Sequence, residues 1–312
     1  MVFLEALIVI FGLILFEVVN SVDNAIINAH VLKTMGNKWR KRFLVFGIIT
    51  SVFLVRVILP LLIVWIVIPH ISFVDLIQVF TGNSTLAAEA IEQQKSIILI
   101  FGGMFLLLLY FHWLFMERKH PLFIQEKLLK EHHDVWFFAF AAIILVALLY
   151  FARNNPFMMI AAALGSATFF IIYGFKETAE RAETKLMKSP RSDVSKFLYL
   201  EVLDATFSFD GVIGAFAFTT NLLYIVIGLG IGAIVLRELT ILGINRIAKY
   251  KWLKNGAMTA IGFLGFFMIL ESFGIELPIY LPTLVTSAIV GYAFYKSHKN
   301  LKSTALYGYL KK

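Results

Sequence analysis

The sequence predicts an all-α membrane protein of about nine transmembrane helices arranged as an inverted repeat. Three observations carry this: the composition, the spacing of long apolar runs, and two related acidic segments placed inside those runs. The 312 residues are 60% hydrophobic and only 15% charged, with a mean hydropathy of +0.83. Soluble domains carry roughly one-quarter charged residues, so the expected solvent is a lipid bilayer and residues 1–312 form one integral membrane domain. The net charge of +8 is gathered into short clusters between apolar runs, as cytoplasmic loops require, and nucleic acid is not an expected partner. The absence of cysteine excludes disulfides, thiolate metal sites and cysteine nucleophiles. The first apolar run has no basic leader and exceeds a signal-peptide core, so it is expected to stay as a span.

Runs long enough to cross about 30 Å of hydrocarbon are Val2–Val31, Phe43–Pro69, Ser96–Met116, Val135–Phe151, Phe157–Phe175, Lys196–Thr219, Leu222–Ile244, Gly256–Phe273 and Ile279–Tyr295. The more polar Ile71–Gln94 segment, with Asp75, Glu89 and Glu92, is expected outside as a loop, in part helical or re-entrant. Lys33, Lys38, Arg40, Lys41 and Arg42 follow the first run, Arg246, Lys249, Lys251 and Lys254 the seventh, and Lys296, Lys299, Lys302, Lys311 and Lys312 the ninth. Nine alternating spans place all three clusters on one side, so the positive-inside rule puts the N-terminus outside and the C-terminus in the cytoplasm of a multi-pass cell (inner) membrane protein. The loops Glu117–Asp134 and Lys176–Ser195 mix both charge signs and are expected in the cytoplasm; their His132, His133 and Asp134 are read as a solvated run.

The repeat lies between the first and sixth spans. Glu17-Val18-Val19-Asn20-Ser21-Val22-Asp23-Asn24-Ala25-Ile26 and Glu201-Val202-Leu203-Asp204-Ala205-Thr206-Phe207-Ser208-Phe209-Asp210-Gly211-Val212-Ile213 share Glu-Val, Ser-x-Asp and the closing Ile across a three-residue insertion. The next span in each case carries Gly and Arg at one offset, Gly47 and Arg56 against Gly228 and Arg237. The two copies cross in opposite directions, the architecture of secondary transporters, with halves of about 1–116 and 196–296 around a hairpin at 135–175.

Glu17, Asp23, Glu201, Asp204 and Asp210 fall deep within these spans, where an Asp costs roughly 2.5 to 3.5 kcal/mol and five acids on the order of 10 kcal/mol. Arg56 and Arg237 as partners leave three negative charges, to be neutralised by protons, a metal cation or both. At about 100° per residue, Glu17, Asn20 and Asn24 form one stripe, and Glu201, Asp204 and Ser208 another. Asp23 and Asp210 lie off these stripes, so local unwinding is expected near Ser21–Asn24 and Ser208–Gly211. The candidate ligands are Glu17, Asn20, Asp23, Asn24, Glu201, Asp204, Ser208 and Asp210, with Ser21 nearby. They are oxygen donors, suited to Mn, Ca or Mg without choosing among them. His112 is expected as a packing hydrogen bonder, Glu271 and Glu276 as a solvated rim, and Thr50 and Ser51 as small packing or supporting groups. The role of Glu238 stays open.

The strings Phe16-Glu17 to Asp23-Asn24 and Glu201-Val202-Leu203-Asp204 to Phe207-Ser208-Phe209-Asp210, followed by Ala215-Phe216-Ala217 and Thr219-Thr220, resemble the TerC family of integral membrane proteins. That family is named for tellurite resistance and belongs to the lysine-exporter-like superfamily. Gly211 stands where the family commonly has Ser, and Asn20 is an added polar group. The resemblance implies export of a divalent cation, most often manganese, by the acidic pairs of the two repeats, with the Arg after each copy as in the family. Expelling two charges against about 100 mV costs roughly 4.6 kcal/mol, so coupling to protons is expected. The alternatives are a non-transporting membrane component of tellurite or metal-stress resistance, and an amino-acid exporter. No enzyme and no prosthetic group are expected. The expected partners are lipid, the divalent ion and protons, and nothing in the sequence speaks to oligomeric state.

Overall fold

Long runs of Leu, Ile, Val and Phe have one economical conformation in an apolar surrounding, because a helix satisfies every backbone donor and acceptor within the segment. The computed structural model follows this rule and describes residues 2–48, 55–68, 72–80, 89, 91–129, 134–187, 193–247 and 249–310. Among the described residues the ordered elements are helices, without a strand: α1 (Val2–Asn20), α2 (Val22–Lys33), α3 (Asn37–Ile48), α4 (Arg56–Val67), α5 (Phe73–Phe80), α6 (Lys95–Met116), α7 (Ile124–Leu128), α8 (Asp134–Phe151), α9 (Pro156–Met187), α10 (Asp193–Ala215), α11 (Leu222–Ile247), α12 (Leu253–Ser272) and α13 (Leu281–Leu310). Among the described residues four stretches are long and apolar enough to cross a membrane: Phe3–Asn20, Lys95–Met116, Pro156–Thr178 and Leu253–Ser272. Arg56–Val67, Val135–Phe151 and Leu222–Leu236 are shorter apolar helices. Phe3, Leu7 and Phe11 on α1, Ile143 and Val146 on α8, and Ile160 and Ile171 on α9 face outward, as a lipid-contacting surface requires.

Helices α6 and α12 form the most extensive pairing. A methyl at Gly103 would come within 2.7 Å of Ile269, and one at Gly265 within 3.0 Å of Leu106; small residues let the two backbones approach, as in membrane helix pairs. Lys95 at the start of α6 pairs with Glu271 near the end of α12 at 3.3 Å, and Lys254 at the start of α12 pairs with Glu117 just past α6 at 2.6 Å. The Lys119 ammonium donates to the carbonyls of Trp113 and Leu114 at 2.8 and 2.6 Å, closing the end of α6. Burial draws that ammonium below the usual lysine range.

The two acidic segments sit in α1–α2 and α10. Helix α1 packs along α11, while α10 packs against both α4 and α2. Each acidic segment therefore touches the helix that follows the other copy. On the cytoplasmic side expected from the sequence, the Gly36 amide donates to Asp193 Oδ2 at 3.2 Å and the Lys196 ammonium to the Thr34 carbonyl at 3.1 Å, tying the end of α2 to the start of α10.

Several sequence expectations change. The first span breaks at Ser21 alone, with φ −94° and ψ 6°, and the Ser21 amide still donates to the Glu17 carbonyl at 3.1 Å. Helix α10 is not broken at Ser208–Gly211 and runs unbroken to Ala215. Ser208 donates its hydroxyl to the Asp204 carbonyl at 2.7 Å, reinforcing the turn, and the bare Gly211 admits a neighbouring side chain instead of a bend. Where a loop is expected from Lys176, the helix runs on to Met187, because Lys, Glu, Ala and Arg from 176 to 187 are good helix formers whatever their charge. The loop Glu117–Asp134 holds α7, in which Glu126 accepts from the Leu122 and Phe123 amides at 2.5 and 3.3 Å and from Asn255 at 2.8 Å. His112 sits among Phe137, Phe169 and Tyr173, its Nε2 without a hydrogen bond among the described residues. It is an aromatic-packed ring rather than the expected hydrogen bonder at that nitrogen. Thr50, Ser51, His132 and His133 lie outside the described residues, as does most of 81–90.

Candidate functional site

Glu17 enters the interior near the end of α1, 1% exposed. Its Oε1 accepts from the Arg56 guanidinium, supplied by the first turn of α4, and from the Ser21 hydroxyl at 3.0 Å. Its carboxylate lies against α10, for a methyl on Gly211 would stand 2.7 Å from Oε2. Its stem lies against α11, for a methyl on Gly232 would stand 2.7 Å from Cβ. Glycine is thus needed twice to let a charged side chain pass between helices. Asn20 shares that surface, with Nδ2 3.5 Å from the same point on Gly211, and borders a small cavity of about 20 Å³ with Val19, Val22, Lys254, Ala257 and Met258.

One turn further, Asn24 donates to Asp204 Oδ1 at 2.5 Å, joining the two acidic segments directly. Asn24 Oδ1 is a buried acceptor without a hydrogen-bond partner among the described residues, and so is Asn28 Oδ1 one turn beyond. Glu201 and Asp204 are half-buried, whereas Ser208 is spent on its own helix. Asp23 lies in α2 and Arg237 in α11; their side chains are outside the description.

Asp210 does not join this group. On the unbroken α10 it sits nine residues from Glu201, about 180° around, and there it pairs with the Lys176 ammonium of α9. The sequence places Lys176 at the start of a mixed-charge cytoplasmic loop. The available signal was the three uncompensated negative charges, which called for a cation within one side-chain length of a span end. Asn28, at the next helical step of the Glu17, Asn20, Asn24 stripe, was equally available.

The acids are therefore partitioned: Glu17 with Arg56 and Ser21, Asp204 with Asn24, Asp210 with Lys176. Among the described residues no three Asp, Glu or His side chains converge as metal ligands would. Five carboxylates against Arg56, Arg237 and Lys176 leave a formal charge of minus two. Toward the other end of α10, a cavity of about 280 Å³ is lined by Glu92, Lys95, Phe218, Thr220 and Glu271 among others. Phe218 packs on Phe16, the residue before Glu17, with ring centroids 5.6 Å apart.

A family model described as a protein of unknown function (DUF475) matches residues 22–303, a stretch that begins just after Glu17 and Ser21. No curated protein and no solved structure matches the chain.

Proposed function

We propose, for a chain that belongs to the DUF475 family of proteins of unknown function, that it is a secondary transporter exporting a divalent metal cation across a cell membrane in exchange for protons. In this reading its helices make nine spans, and the site is the ground between α1–α2 and α10. The observation that carries the reading is the contact between the two acidic segments inside the bundle: Asn24 on Asp204, and the Glu17 carboxylate on Gly211. Buried charge of this density is expensive in an apolar layer and marks ion or proton pathways. The donor atoms are oxygen, which suits manganese, calcium or magnesium, and the resemblance to TerC proteins favours manganese. Cargo would take carboxylates from their present partners, so rearrangement of α10 against α1 is an integral step of transport.

Sealed vesicles containing the protein, loaded with manganese and given an imposed pH gradient, test the proposal. Proton-driven metal flux is expected, with Glu17→Gln and Asp204→Asn each abolishing most of it. Flux equal to that of protein-free vesicles would end the transporter reading. The one-to-one pairing of acids favours a second reading, a non-transporting membrane component of metal-stress or tellurite resistance in which the pairs only hold the bundle together. That reading expects the neutral double replacement Glu17→Gln with Arg56→Gln to keep the cellular phenotype, which the transporter reading does not allow.

A further inference from the structure

We infer that Lys176 is a tethered counter-cation that holds Asp210 in place of the cargo and must swing off it when a metal cation binds, so that Asp210 serves the transport cycle through an exchange of cations. The inference rests on the transporter reading and names a part of its machinery that the two acidic segments do not contain.

The Arg56–Glu17 and Lys176–Asp210 pairs differ in ways that make the second releasable. Arg56 and Glu17 keep 3% and 1% of their side-chain surface, and Ser21 holds the same carboxylate oxygen from a second side. Lys176 and Asp210 keep 13% and 7%, and the ammonium engages Oδ2 while Oδ1 has no hydrogen bond among the described residues. A lysine head is a compact, strongly hydrated point charge on a flexible four-carbon stem, unlike the flat, forked guanidinium. It is the side chain that most nearly imitates a free cation on a leash. An unsatisfied buried carboxylate oxygen beside it is costly, and it is a donor that a metal cation would use once the site opens.

Position supplies the exit. Lys176 lies twenty residues past Pro156, about 30 Å along α9 and so one hydrocarbon thickness from that end. Its backbone is therefore near the cytoplasmic interface, and its head is turned inward to Asp210. A lysine so placed ordinarily extends its stem to the interface and keeps its charge in water. Release from Asp210 lets it do so, with no charge crossing the bilayer. Asp210 also adjoins Gly211, against which the Glu17 carboxylate rests, so a cation arriving at Asp210 and a movement of Glu17 meet on the same turn of α10.

The test measures the reactivity of the Lys176 amine toward a water-soluble acylating reagent, by peptide mass spectrometry on the full chain in nanodiscs, with manganese alone as the added ligand and exposed Lys38 as internal control. With manganese, acylation of Lys176 is expected to rise about tenfold, the mark of a 1.4 kcal/mol shift in the paired population, while Lys38 is unchanged. Asp210→Asn should give the high rate with or without metal. In equilibrium dialysis, Lys176→Met should bind manganese more tightly than the parent chain, and Lys176→Met with Asp210→Asn should lose that gain. Manganese bound or transported with Lys176 acylation unmoved overturns the inference and leaves the transporter reading standing. Failure of the parent chain to bind or move manganese overturns both.

Discussion

At the scale of single residues, the described interior carboxylates differ in what holds them: Glu17 an arginine, Asp210 a lysine and Asp204 an amide. Glu17 has the Arg56 guanidinium and the Ser21 hydroxyl, and truncating Arg56 leaves it buried without a counter-charge. Arg56→Met should therefore cost about 3 to 5 kcal/mol of stability, and Arg56→Met with Glu17→Met should recover most of it, because apolar pairs of similar volume substitute well for buried ion pairs. Denaturant unfolding in lipid micelles reads both values. Equal stability of the single and double variants would show that Glu17 draws its support elsewhere. Among the described residues Asp204 accepts from the neutral Asn24 amide alone. Asn24→Leu should lower metal flux more than it lowers stability, since Asp204 is half-buried and can rehydrate.

Elements respond to different forces. Helix α10, expected to unwind where its polar residues leave one face, stays continuous and distributes them to two neighbours, α2 and α9. The price of that arrangement is close approach, visible in Gly211. Gly211→Ala would place a methyl 2.7 Å from Glu17 Oε2, and overpacking of this kind costs typically about 1 to 3 kcal/mol. Gly174 on α9 is a contrast on a comparable helix: a methyl there would meet nothing within 4 Å. Gly174→Ala should stabilise by about 0.5 to 1 kcal/mol, the helix-propensity difference alone. The pair of variants separates the packing effect from propensity, and similar behaviour in both would remove the close-approach account of Gly211.

At the scale of the whole molecule, orientation is the property to test. Because the chain lacks cysteine, single replacements at the exposed positions Lys38, Asn154 and Lys299 introduce the only thiols. Nine spans with the N-terminus outside place Lys38→Cys and Lys299→Cys on the cytoplasmic side and Asn154→Cys on the other. An impermeant thiol reagent applied to right-side-out vesicles should label only Asn154→Cys. Labelling of all three, or of Lys38→Cys alone, would refute the span count.

Helix, membrane class, the acidic segments and their likeness to each other were all legible along the chain, because apolar run length and the cost of an intramembrane carboxylate depend on local composition alone. The break at Ser21 was legible too, since Asp23 could not share the face of Glu17, Asn20 and Asn24 on a straight helix. The same argument failed for Ser208–Gly211, where a second neighbour stood ready to receive Asp210. Which helix that neighbour is, that Lys176 turns inward rather than outward, and that Glu17 threads between two glycines were decided only by tertiary structure. Pairing of buried charges is settled by which helix faces meet in space, and no one-dimensional period of 3.6 residues carries that information.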